Sequence, residues 1–156
     1  MPTIDCSLVS DGSSDAALLP VIQWVVSQNA CGYATEAVWA DLRRLRRPLP
    51  RLADRIVEAF ELYPCDILFV HRDAEAQPYE WREREIAEAI TLAREQGFRV
   101  PHVCVVPVRM QEAWLLLEES AIRRAAGNPN GTTRLILPTV GREAVAIVPE
   151  IRSRSP

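Results

Sequence analysis

Lysine is absent from this chain of 156 residues, and all 18 basic side chains are arginine. Without lysine there is no Schiff-base former and no P-loop cation, so both chemistries are excluded. Long apolar runs are missing too. Runs such as Ile67–Val70 and Val103–Val108 fall far short of the roughly 20 residues that span a bilayer, so no membrane partner is expected. Histidine is limited to His71 and His102, and no Gly-x-Ser-x-Gly elbow occurs, which leaves a Ser-His-Asp triad without support. Cys6, Cys31, Cys65 and Cys104 form no Cys-x-x-Cys pair. A zinc site is therefore not indicated, and buried thiols packing as small hydrophobes are expected. A basic excess is lacking as well: the net charge is −3. This argues against a nucleic-acid coat protein but leaves room for an enzyme that holds nucleic acid through metal ions. The N-terminus shows no basic region followed by an apolar stretch, so no secretory signal is expected and the reducing cytoplasm is the expected compartment.

What remains is the mix of an ordinary globular chain, 48% hydrophobic and 25% charged, long enough for one domain with one sizeable core. The pattern along it alternates. Ile4–Ser10 reads as a strand that ends in the turn Asp11-Gly12-Ser13-Ser14-Asp15. Helical spacing follows from Asp15 to about Gln28 through Leu18, Leu19, Ile22, Val25 and Val26. Pro20 there must kink the helix or shift its start. Glu36–Ala40 is a second short strand, Arg51–Leu62 a helix, and Cys65–His71 a strand whose apolar stretch Ile67–Val70 suits burial on both faces. Tyr79–Gln96 is a charged helix with an apolar stripe of Ile86, Ala89, Ile90 and Ala93, capped by Gly97. His102–Val108 is a fourth strand, and Met110–Ala126 reads as one or two helices. Arg134–Leu137 and Val145–Val148 read as two further short strands in a weakly patterned tail.

Strands alternating with helices predict an α/β fold in three layers: a mainly parallel four-stranded sheet with helices on both faces. One domain over residues 1–156 is expected, with a core at about 3–127 and an irregular extension over 128–156. Right-handed crossovers would bring every strand's C-terminal end to one edge, where open sheets of this kind carry their sites. Asp11 follows the first strand, Asp73 and Glu75 the third, and Glu112 the fourth. Carboxylates converging from distant parts of the chain are unfavourable unless a cation neutralises them, and hard ions such as Mg²⁺ take oxygen ligands.

Each of these residues also has a plainer reading. Asp11 is a common turn residue before glycine, Asp15 a helix cap, and Asp73 and Glu75 solvated loop acids. Glu112 suits a helix N-terminus. His71 is either a general base, a phosphate partner or a hydrogen-bonded strand-end residue. Arg109 is either a phosphate ligand or the ion-pair partner of Glu112. Arg43, Arg44, Arg46, Arg47 and Arg51, interleaved with Leu42, Leu45 and Leu49, form a nucleic-acid contact or a solvated loop. Trp81 and Trp114 are expected to be packing groups rather than base-stacking platforms.

The Asp11-Gly12 turn after strand one, followed by Asp73-x-Glu75 after strand three, resembles the TOPRIM domain of topoisomerases, primases, OLD-family nucleases and small related proteins. The stretch Met110-Gln111-Glu112-Ala113-Trp114-Leu115-Leu116 is similar to a Glu-x-Trp-Leu-Leu segment in small TOPRIM-like proteins of bacterial defence loci. The chain departs from the family at two points: Asp11 stands where the family has Glu, one methylene longer, and Glu75 where it has Asp. The resemblance implies Mg²⁺ (or Mn²⁺) held by Asp73 and Glu75, with Asp11 as a further ligand or the acid/base. It implies Glu112 completing the shell and Arg109 or Arg72 steadying a phosphate. The implied activity is phosphoryl transfer or nuclease action on nucleic acid. The alternative is a catalytically degenerate binding or regulatory module, acting as a homodimer or with a partner protein. A receiver-like acidic pocket would need a lysine that the chain does not have.

Overall fold

The computed structural model describes residues 1–74, 77–107 and 119–134. Four strands, β1 (Thr3–Val9), β2 (Ala34–Trp39), β3 (Ile67–His71) and β4 (His102–Val105), form one sheet in the order β2-β1-β3-β4. Every pairing is parallel, with Leu8 beside Trp39, Val9 beside Val70 and His71 beside Val105. Parallel neighbours require a crossover, and helices α1 (Leu19–Asn29), α2 (Leu52–Leu62) and α3 (Tyr79–Glu95) provide them. A fourth helix, α4 (Glu119–Ala125), follows the sheet. The expected three-layer α/β architecture is the one found.

The side-chain alternation of the strands divides the core into two layers. Cys6 and Leu8 of β1 and Phe69 of β3 pack with Leu18 and, from α1, Ile22 and Val26. Val9, Leu68 and Val70 point the other way, into Ala53, Ile56 and Ala59 of α2 and Ile86, Ala89, Ile90 and Ala93 of α3. Phe98 closes this second layer with its ring edge-on to Phe60, centroids 5.6 Å apart. The apolar stripes read from the sequence of both helices are thus their buried faces.

Several boundaries differ from the sequence reading for identifiable reasons. The segment after β1 begins as a 3-10 turn, Ser13–Leu18, and becomes α-helical only at Leu19. Pro20 falls in the first turn of α1, where a missing N–H costs no helical bond, so it shifts the start and does not kink the helix. Strand β3 starts at Ile67, not Cys65. Asp66 instead brackets Asp5, donating its N–H to the Asp5 carbonyl at 2.8 Å and accepting the Asp5 N–H at 3.0 Å. Strand β4 stops at Val105, before Pro107, which has no N–H to give a ladder. The helix expected over Met110–Ala126 is seen from Glu119. Its earlier part and the strands proposed within 135–148 lie outside the described residues. Among the described residues no helix is long and apolar enough to cross a membrane.

Ile56 is fully enclosed between α2 and the sheet, whereas Leu92 of α3 is 45% exposed. Ile56→Ala is therefore expected to cost about 2–5 kcal/mol in urea unfolding. Leu92→Ala is expected to change stability by no more than about 0.5 kcal/mol.

Candidate functional site

All four strands run the same way, so the segments after β1, β2, β3 and β4 share one edge of the sheet. From β1 the chain crosses to β2 on one side, and from β3 it crosses to β4 on the other. The crevice between the ends of β1 and β3 is thus the switch point where parallel open sheets bind their ligands. Asp11 stands after β1, and His71, Arg72 and Asp73 stand at the end of β3. Glu75, Arg109, Glu112 and Trp114 lie outside the described residues.

Successive residues of β3 face opposite layers, and this splits the site in two. On the α1 side, His71 continues the line of Phe69 and meets Asp15 of the 3-10 turn. Its Nδ1 lies 3.4 Å from Asp15 Oδ2, and its Nε2 lies 3.6 Å from Asp73 Oδ1. His71 is 1% exposed and Asp15 4%. Neither ring nitrogen of His71 makes a hydrogen bond among the described residues. Leaving a buried polar group so placed costs about 1–3 kcal/mol. The N-cap position itself is Gly12, and Asp15, expected as a cap, instead sits three residues on and reaches back, its Oδ2 accepting the Gly12 N–H at 3.1 Å.

The α2/α3 side carries a chain of charges. The Asp11 carboxylate accepts from Arg55 Nη1 at 2.7 Å through one oxygen and from Arg72 Nη1 through the other. Arg55 also donates to the Ser10 carbonyl. Arg72 continues to Glu85 at 2.8 Å, Arg82 binds the second oxygen of Glu85 at 2.8 Å, and Arg82 Nε donates to the Asp73 carbonyl at 2.9 Å. Burial alone would raise the Glu85 carboxyl, but hydrogen bonds and charge from Arg82 and Arg72 outweigh it and hold the group below its ordinary value. The turn is further braced by Ser10, whose Oγ donates to the Gly12 carbonyl at 3.2 Å and accepts Trp39 Nε1 at 2.9 Å.

The sequence had not singled out Arg55, Arg82 or Glu85. A signal was available, because crossover helices begin at the edge where strands end, so polar residues in the first two turns of α2 and α3 belong to the site. Trp81, expected to pack, is 64% exposed. With Gln77, Arg82, Arg84, Glu85 and Glu88 it lines a cleft of about 450 Å³ beside the charge chain.

The arginine-rich segment follows β2 and so flanks the same edge. Arg43 is tied to Asp41 at 2.8 Å and lies 4.6 Å over the Trp39 ring, and Arg51 is paired with Asp54. Arg44, Arg46 and Arg47 are exposed, while Leu42, Leu45 and Leu49 are half-buried. The cysteines stand apart from this edge chemistry. Burial, then the charges of Cys65, Asp66 and Asp5, pushes the Cys6 thiol up to about 12, and burial also raises Cys65 and Cys104. All four cysteines are free. His102 opens β4 at the opposite edge, where burial and then Arg94 lower its pKa. Among the described residues no group of three or more ligating side chains is closed around a metal position. The chain matches no family model, no characterised protein and no solved structure.

The Glu85 link carries a pH signature. Its pKa is lowered on folding from the ordinary 4.5, so its stabilisation is present above that pH and is lost as pH falls through the folded-state value. Glu85→Gln is expected to be less stable than wild type at pH 7. In urea unfolding followed against pH, the gap should shrink once pH drops below 4.5.

Proposed function

We propose that this chain is a TOPRIM-like protein that performs metal-dependent phosphoryl transfer on nucleic acid, with nucleolytic cleavage as its outcome. The observation that supports this reading is the meeting of Asp15, His71 and Asp73 at the end of β3, with Asp11 after the neighbouring strand β1. The turn Asp11-Gly12 and the acid Asp73, which carry the resemblance, follow neighbouring strands whose registers pair Val9 with Val70. Exposed Arg44, Arg46 and Arg47 on the flanking segment suit the phosphate backbone of a nucleic acid.

A divalent ion would sit on the β3 side of this crevice, completed by residues beyond the described ones. Asp73 is half exposed there, and the buried His71 presents a nitrogen with no hydrogen bond. Asp73 and Glu75 would hold Mg²⁺ or Mn²⁺, with Asp11 as a further ligand or the acid/base and Glu112 completing the shell directly or through water. The ion supplies charge stabilisation to the transferring phosphoryl group and orients the attacking water. Asp11 meets Arg55 and Arg72 through its two oxygens, and a phosphate offers guanidinium groups the same two-oxygen face. A substrate phosphate exchanging with the Asp11 carboxylate would therefore gain both arginines and release Asp11 for its role. Arg109 would steady the same phosphate.

The grip of two arginines on Asp11 favours a second reading, in which Asp11 is structural and the protein is a degenerate module that binds without turnover. Incubation with single- and double-stranded DNA and RNA in Mg²⁺ or Mn²⁺ separates the two. The enzyme reading predicts cleavage by wild type and a loss of about a hundredfold or more in Asp73→Asn, because the charge stabilisation at stake is several kcal/mol. Absent turnover with Mn²⁺ still bound would establish the module. Cleavage equally rapid in Asp73→Asn would remove Asp73 from the mechanism.

A further inference from the structure

Trp81 is 64% exposed, and it does not stand alone on its face of α3. Arg84, Glu85 and Glu88 follow it at spacings of three and four, so these residues share one side of the helix. With Arg82, and with Gln77 just before the helix, they line the cleft of about 450 Å³. That volume lies within the range of small-ligand sites. Two of the lining residues belong equally to the strand-end site. Arg82 Nε donates to the Asp73 carbonyl at 2.9 Å, and Glu85 accepts from Arg72, which also binds Asp11. The cleft is thus continuous with that edge, one arginine side chain from Asp73. Its lining is electrically balanced, two arginines against two glutamates. Glu85 already engages both carboxylate oxygens with Arg72 and Arg82. A phosphate gains no net attraction in such a cleft, whereas a neutral flat group does. Trp81 offers an aromatic face and Arg84 a guanidinium plane, and Gln77 and Glu88 can meet ring amino groups. This is the chemistry that receives a nucleobase.

We propose that Trp81 is a stacking platform for an unpaired base, and that the nucleic acid this edge takes is single-stranded. The inference rests on the nucleic-acid reading of the edge and names the form of the substrate. In a duplex each base face is covered by its neighbours, so an indole reaches one only if the nucleotide is extruded. In a single strand every base has a π-face to offer, and stacking tolerates any sequence. The strand's backbone then passes from the cleft toward Arg72 and Arg55 at the strand ends. Trp24 of α1 is equally exposed, at 63%, but is not among the residues of this cleft, which makes it the internal control.

The test measures binding of the full chain to fluorescein-labelled oligothymidylate and to a duplex of the same length, by fluorescence anisotropy in EDTA so that no cleavage intervenes. Wild type should prefer the single strand. Trp81→Ala should weaken single-strand binding about five- to a hundredfold, the usual effect of removing one stacked aromatic, and leave duplex binding unchanged. Trp81→Phe, which keeps a ring, should recover most of the loss, and Trp24→Ala should bind as wild type does. Unlabelled strand should quench the tryptophan fluorescence of wild type, and that quenching should be lost in Trp81→Phe. Single-strand binding unchanged in Trp81→Ala, or duplex binding weakened by it to the same degree, would overturn the stacking role and leave the phosphoryl-transfer reading standing. Binding of neither form, in EDTA or in Mg²⁺, would overturn both. Trp81 is largely exposed and outside the core, so its replacement leaves the fold in place for the comparison.

Discussion

The parallel pairing of β1 with β3 at the centre of the sheet is the constraint on which the rest depends. Parallel neighbours cannot be joined by a hairpin, so each connection must travel back over a face of the sheet. Both faces are thereby covered, and the central strands lose access to water on either side: Leu8, Val9, Leu68 and Val70 are at most 1% exposed. The same constraint sends every strand end to one edge. Polar groups far apart in the chain meet there because the faces of a doubly covered sheet are apolar and only its edges can accommodate them. The site at this edge follows from the topology that buries the core.

Charge at that edge is balanced largely by arginine, and the chain has no lysine to do the work instead. A guanidinium presents several donors in a fixed plane, so one arginine can tie two partners. Arg72 joins Asp11 to Glu85, and Arg82 joins Glu85 to the Asp73 backbone. The strand ends are in this way stapled to the N-terminal turns of α2 and α3. On the opposite face the balance is different. There His71 lies between two carboxylates, 3.4 Å from Asp15 and 3.6 Å from Asp73.

The fold was legible in the sequence because its signals are periodic and local. The stripe Ile86, Ala89, Ile90 and Ala93 and the unbroken apolar run ending at His71 each specify a burial state. Boundaries were less legible where backbone bonding decides them, as with the bracket between Asp5 and Asp66 or the stop before Pro107. For the site, the strand-end positions of Asp11 and Asp73 were readable, since a turn after a strand can be seen in one dimension. The grip of Arg55 on Asp11 spans 44 residues, and the approach of Asp15 to His71 spans 56, so neither leaves a local trace. Asp15 read as a helix cap, but Gly12 takes that position and Asp15 braces it from three residues on, beside the imidazole. Trp81 read as a packing group because tryptophan usually buries its area, but α3 turns it outward on its charged face.

The central claim is that the crevice between β1 and β3 holds a divalent ion on Asp73. Diffraction from crystals soaked in Mn²⁺, measured at a wavelength where manganese scatters anomalously, tests it most directly. The account predicts an anomalous peak about 2.0–2.6 Å from a carboxylate oxygen of Asp73, on the side facing His71. A peak only elsewhere, such as beside Asp5 and Asp66 at the opposite edge, or no peak at all, would contradict it.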